Sequence, residues 1–147
     1  MTYTLPVYSI ALVRERSLKA TSDAIHAPSD AVRIFRNLCG DMDREALVEL
    51  MLDAKNTIRG VNVVSIGDLC STLAHPREVF KPAILASAVS IVLIHGHPSS
   101  GNPMPSSEDI AVAKRLRTVG ELLGIHVADS IVAGDNGYVS LNESGYF

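Results

Sequence analysis

An α/β fold, built as a single-domain mixed β-sheet with flanking helices, is what this sequence predicts, and three observations predict it. Apolar patterns of strand and helix spacing alternate along the chain. The run Ser90–Ile94 is short and apolar enough to lie buried on both faces. The 147 residues, with no internal repeat or low-complexity stretch, suit one domain with a real core. Hydrophobic residues make up 47% and charged residues 20%, an ordinary globular composition that excludes disorder over the whole length.

Taken in order, Val7–Val13 is apolar and rich in β-branched residues, so it reads as a strand, an edge strand entering the domain. Residues 19–28 follow as a connector. Pro28-Ser29-Asp30 offers a helix cap ahead of residues 31–38, whose apolar positions fall at helical spacing, and Gly40 stands where such a helix ends. Residues 47–52 and 57–66 read as two strands joined by a short polar hairpin turn, Asp53-Ala54-Lys55-Asn56. A helix is expected over 76–88, with proline in its first turn. After the strand at 90–94 comes a loop, 97–106, stiffened by prolines and serines. Ser106 or Ser107 then caps a helix running to about Leu123, with Glu108 and Asp109 in its positive first turn and Gly124 at its end. Strands at 126–132 and 138–141 flank the turn Gly134–Gly137, and 142–147 reads as a loose tail. The natural division is 1–28, an N-terminal strand and connector, and 29–147, the main domain.

The formal charge of −3 and the scattered Lys/Arg give no phosphate-binding stripe. Nucleic acid is therefore not expected as the main ligand, although a local patch stays open. Cys39 and Cys70 lie far apart without CxxC spacing, which suits a reducing compartment and two small buried side chains. The N-terminus has no basic region followed by an apolar one, and no run is long enough to span a membrane, so cytoplasm and no membrane partner are expected.

Chemistry concentrates in His95-Gly96-His97-Pro98 and in Asp109 beyond the loop. Two histidines at i and i+2 on extended chain share a face, so both imidazoles can reach one ion. An Asp in the first turn of the next helix can swing back as an oxygen ligand. Three protein ligands with one open position is what a catalytic zinc needs. Two imidazoles and a carboxylate also suit Fe(II) or Mn(II).

His95-Gly-His97-Pro-Ser-Ser-Gly-Asn-Pro-Met-Pro-Ser106-Ser-Glu-Asp109 resembles the JAMM (MPN+) metallopeptidase signature, His-X-His, a spacer, then Ser-X-X-Asp. More closely it resembles the RadC family of bacterial JAMM-domain proteins. His75-Pro-Arg-Glu-Val-Phe-Lys-Pro-Ala upstream, and Leu122-Leu-Gly-Ile, Asp129-Ser-Ile-Val-Ala-Gly-Asp and Tyr138-Val-Ser-Leu downstream, are similar to that family's blocks. Likeness runs from roughly Asp43 to Leu141, about two thirds of the chain, and without the family's longer N-terminal helical region it is the short form that is resembled. Three departures stand out: the His97–Ser106 spacer is eight residues rather than the usual seven, Gly96 replaces a common Asn, and Ser130 replaces a His. The extra residue is taken as the second serine of Ser99-Ser100, bulging outward.

The resemblance implies a cytidine-deaminase-like JAB/MPN fold over 29–147 and a zinc-dependent hydrolase of peptide or isopeptide bonds, one Zn2+ per chain. It implies His95, His97 and Asp109 as metal ligands and Glu45 as the carboxylate that shuttles the water proton. Glu49, inside the apolar run 47–52, is the rival base, with an outward-facing strand residue as its plain reading. Ser106 would donate a hydrogen bond to the tetrahedral oxyanion, against a plain reading as helix cap. His26, His75 and His126 have no ligand spacing, and Asp129 reads equally as a partner of a metal-bound His or as a strand-end residue. Competing readings are a DNA-repair-associated factor and an interaction module with little turnover. A zinc deaminase is disfavoured because its Pro-Cys-X-X-Cys arrangement is absent. The substrate, a peptide or protein, and the oligomeric state stay open.

Overall fold

A computed structural model describes residues 1–40, 44–67, 74–97 and 101–147. The expected Cys70 and the extra serine at 99–100 lie outside the described residues. Elements run α1 (Pro28–Cys39), β1 (Ala46–Leu52), β2 (Ile58–Ile66), α2 (Pro76–Leu85), β3 (Ser90–Gly96), α3 (Ser107–Leu123), β4 (His126–Ala133) and β5 (Tyr138–Ser140). They form a five-stranded sheet in the order β2-β1-β3-β4-β5. Only β3 and β4 are parallel, joined through α3; the other pairs are antiparallel. The expected mixed α/β sheet is what the chain forms.

Period-two alternation sorts the side chains into two layers. Val48, Leu50, Val92 and Ile94 pack with Val32, Ile34 and Phe35 of α1 on one face. Leu47, Met51, Ile91 and Leu93 pack with Val79, Phe80 and Ala83 of α2 and Leu116 of α3 on the other. Central β3 is buried over Ser90–Ile94 because helices cover both its faces. It continues two residues beyond the expected Ile94, since β1 and β4 pair with it as far as Gly96.

The β1–β2 hairpin has the expected turn. Asp53 Oδ1 accepts the Lys55 and Thr57 amides at 2.8 and 2.9 Å, and Asn56 takes a left-handed φ of 61°. Four readings need correction. No strand forms at Val7–Val13; the segment has no regular structure and its large side chains are exposed. Strand propensity is local, but a strand needs an edge to pair with, and among the described residues the chain before α1 makes backbone contact with the sheet only through residues 23–25, by the Ala24–Thr57 bridge and the Ile58 N–H to Asp23 O bond. Helix α1 is capped at Ala27, with the Asp30 carboxylate reaching back to the His26 and Ala27 amides. Helix α2 stops at Leu85 rather than at 88, where Ser87 adopts φ 52°. The C-terminal residues are ordered rather than loose: Tyr146 N–H donates to Leu141 O, and the Arg117 guanidinium lies 5.3 Å over the Phe147 ring.

Gly96 points its missing side chain at α1, where a Cβ would sit 2.5 Å from Phe35 Cζ. The Phe35 ring is itself core, so it has little room to yield. Gly96→Ala is therefore expected to destabilise the fold by about 1–3 kcal/mol, measured as a lower denaturant midpoint with an unchanged m-value. Among the described residues no helix is long and apolar enough to cross a membrane.

Candidate metal centre

The sheet brings the candidate residues together at one end. Ile91 and Leu93 face the α2/α3 layer, so His95, the next odd position, faces it too, and His97 continues that face. Antiparallel pairing sets Leu47 opposite His95 and Ala46 opposite Gly96. Glu45, just before β1, therefore stands beside the histidines although 50 residues separate it from His95 in sequence. Asp109 arrives from the first turn of α3, which follows the carboxyl end of β3. In parallel α/β units this is the end of the strand where ligands bind.

Ser106 is the N-cap of α3: its Oγ accepts the Asp109 amide at 3.1 Å, while Asp109 Oδ2 accepts the Ser106 amide at 2.7 Å. Asp109 thus does two jobs, because its Oδ1 also meets His95 Nδ1 at 3.1 Å. Burial pushes the Asp109 carboxyl up, but the His95 hydrogen bond and the Ser106 contacts outweigh it and hold the group at about 2. It is a carboxylate at any physiological pH.

Those contacts select the tautomer of a neutral imidazole. An acceptor faces Nδ1 of each ring, Asp109 Oδ1 for His95 and the Asn102 carbonyl, at 3.1 Å, for His97. Each neutral ring therefore carries its proton on Nδ1 and presents a bare Nε2 lone pair. His95 Nε2 is buried without a hydrogen-bond partner, 3.7 Å from Glu45 Oε2, and His97 Nε2 lies 3.6 Å from Asp109 Oδ2. The rings stand edge to face with centroids 4.5 Å apart. Two lone pairs, each facing a carboxylate oxygen beyond hydrogen-bond distance, repel unless a cation lies between them. The donor set fits a metal. Ligand atoms of Glu45, His95 and His97 all fall within 4.8 Å of one another, so these three form a group able to hold an ion.

Glu49 is placed elsewhere. It lies deeper on β1, opposite Leu93 and Asn62, is 0% exposed, and has only a long 3.5 Å contact from Asn62 Nδ2. Burial pushes its carboxyl up to about 8, so it is a neutral acid at pH 7 and not an outward-facing strand residue. His75 caps α2, its Nδ1 accepting the Arg77 amide, and His26 and His126 are exposed and away from the site. Asp129 is occupied by Ser140 Oγ at 2.6 Å and by the Ser130 and Asn142 amides. The Asn102 carbonyl was not foreseen, since a backbone acceptor leaves no mark in the sequence.

The chain matches the family described as RadC-like JAB domain over residues 25–146. It belongs to that family. UPF0758 proteins are similar to it: one from Methanococcoides burtonii is 50% identical over 83% of this chain, and one from Desulforamulus reducens 46% over 82%. One from Methanosarcina mazei is 40% identical over 95% of this chain. The alignments cover 53%, 53% and 61% of those relatives, so this RadC-like chain spans little more than half their length.

Proposed function

We propose that this RadC-like JAB domain is a zinc-dependent hydrolase of peptide or isopeptide bonds, with His95, His97 and Asp109 holding the ion. The observation that carries the reading is the pair of bare Nε2 atoms aimed at carboxylates, with each Nδ1 proton fixed from behind. A bound zinc supplies a Lewis acid, which brings the pKa of water towards about 7 and polarises a carbonyl. The Asn102 carbonyl orients the His97 imidazole, a role such partners commonly play, while Asp109 Oδ1, which here meets His95 Nδ1, would leave that contact to ligate the ion. Glu45, at the entrance to β1 and partly exposed, takes the proton of the attacking water and delivers it to the leaving amine. Ser106 spends its Oγ lone pair on the helix cap and keeps its hydroxyl proton to donate to the oxyanion. The partner is then a peptide or protein substrate.

Elemental analysis of protein purified without added metal tests the site, beside the His95→Ala/His97→Ala double variant. One zinc per parent chain and none in the variant is expected. Absence of metal from the parent, even after zinc is supplied, sinks the hydrolase reading.

A further inference from the structure

We propose that residues 3–13 are an intermolecular strand, which pairs along the outer edge of β2 in a second copy of this chain. The segment Val7-Tyr8-Ser9-Ile10-Ala11-Leu12-Val13 is apolar on both faces, a pattern that belongs to a strand covered on both sides. Here it is bare: Tyr3, Leu5, Val7, Tyr8, Ile10 and Val13 are 75–97% exposed. Among the described residues, no backbone–backbone hydrogen bond joins residues 1–22 to the rest of the chain. Contiguous exposed apolar surface of this kind marks an interaction site.

The root of the arm is fixed. Asn37 Nδ2 donates to Lys19 O at 2.6 Å, and Leu18 packs on the core beside α1. Arg33 Nη1 donates to Thr21 Oγ1 at 3.4 Å, one turn earlier on α1 than Asn37. Residues 21 to 19 therefore run along α1 towards its C-terminal end, across a groove that Leu18 shares with Ile58 and Val61 of β2. β2 is a nine-residue edge strand, Ile-Arg-Gly-Val-Asn-Val-Val-Ser-Ile, with one charged residue and no proline. Its outer side is taken at its first residue, where Ile58 N–H donates to Asp23 O at 2.7 Å beside the isolated bridge of Thr57 with Ala24; among the described residues nothing pairs with it beyond that point. An edge of that length with a single charge and no proline is a template for another strand. Each chain holds one arm and one such edge, so a two-fold exchange satisfies both arms and both edges and closes. Strand addition supplies the missing backbone hydrogen bonds, and the exposed apolar side chains of the arm gain cover from the partner.

Light scattering on the full chain and on Ile10→Asp/Leu12→Asp tests this, with hydrogen exchange followed at the amides of β2. The parent should be a dimer. The variant should be a monomer with unchanged circular dichroism and faster exchange across 58–66. Leu5→Asp/Val7→Asp, at equally exposed positions, should behave in the same way. A parent that is monomeric up to its solubility limit overturns the proposal, and so does a parent that is monomeric yet co-floats with neutral lipid vesicles. A dimer that survives both variants, or that dissociates without any change in β2 exchange, overturns it equally.

Discussion

Glu45→Gln is expected to lower kcat on a fluorogenic isopeptide substrate by about 10²–10⁴-fold while the protein keeps its zinc. Gln fills the same volume at the mouth of β1, so the local packing persists, but an amide cannot take up the water proton. Retention of metal is the informative half. Glu45 falls within the same 4.8 Å cluster as the two histidines, so it has the geometry of a ligand as well as of a base. If it serves as the base, Asp109 supplies the carboxylate that completes the ligand set, and the zinc content of the variant equals that of the parent. If zinc leaves with the carboxylate, Glu45 is a ligand and Asp109 serves only to orient His95 through Nδ1. Glu49→Gln is the control: Glu49 has no contact with the histidines, so kcat should stay close to the parent's. Full activity in Glu45→Gln together with loss in Glu49→Gln would reverse the assignment.

The parts of this site that were legible in the sequence are those set by local geometry. His95 and His97 share a face because strand side chains repeat every two residues. Ser106 and Asp109 stand three apart, the spacing of a capping box, so one short motif orders α3 and turns the Asp109 carboxylate back towards His95. Glu45 is different. Its place beside His95 follows from the antiparallel register of β1 on β3, a non-local fact that residue spacing does not contain, and only the family resemblance singled it out. Glu49 shows the opposite failure. A lone polar residue in a strand is normally read as facing water, whereas both faces of β1 are covered by helices, so no position on this strand faces solvent. At Val7–Val13 the residues favour a strand strongly enough to suggest one, but strand formation depends on a neighbouring edge as much as on composition.

Stability should fall as pH rises, and Glu49 is the reason. Its carboxyl has an ordinary value of 4.5 and is raised to about 8 by burial, so the folded chain binds this proton more tightly than the unfolded chain does. The sign follows directly. The contribution is fully present below pH 4.5 and is lost progressively until the pH passes about 8, where ionisation would put an unpaired charge among apolar side chains. At about 1.4 kcal/mol per pH unit this amounts to a few kcal/mol, a large share of the 5–15 kcal/mol typical of a whole domain. Glu49 Oε2 has no partner to soften the cost, and Asn62 at 3.5 Å offers only a weak one. Glu49→Gln removes the ionisation while keeping shape and a contact to Asn62. Urea unfolding at pH 5 and pH 8.5 should therefore show parent and variant close together at the lower pH and the variant more stable by a few kcal/mol at the higher. The difference between the two proteins isolates this one group, because every other titrating residue is common to both. A gap that stays constant with pH would mean that Glu49 is already paired in the folded chain, and that the strain read from its burial does not exist.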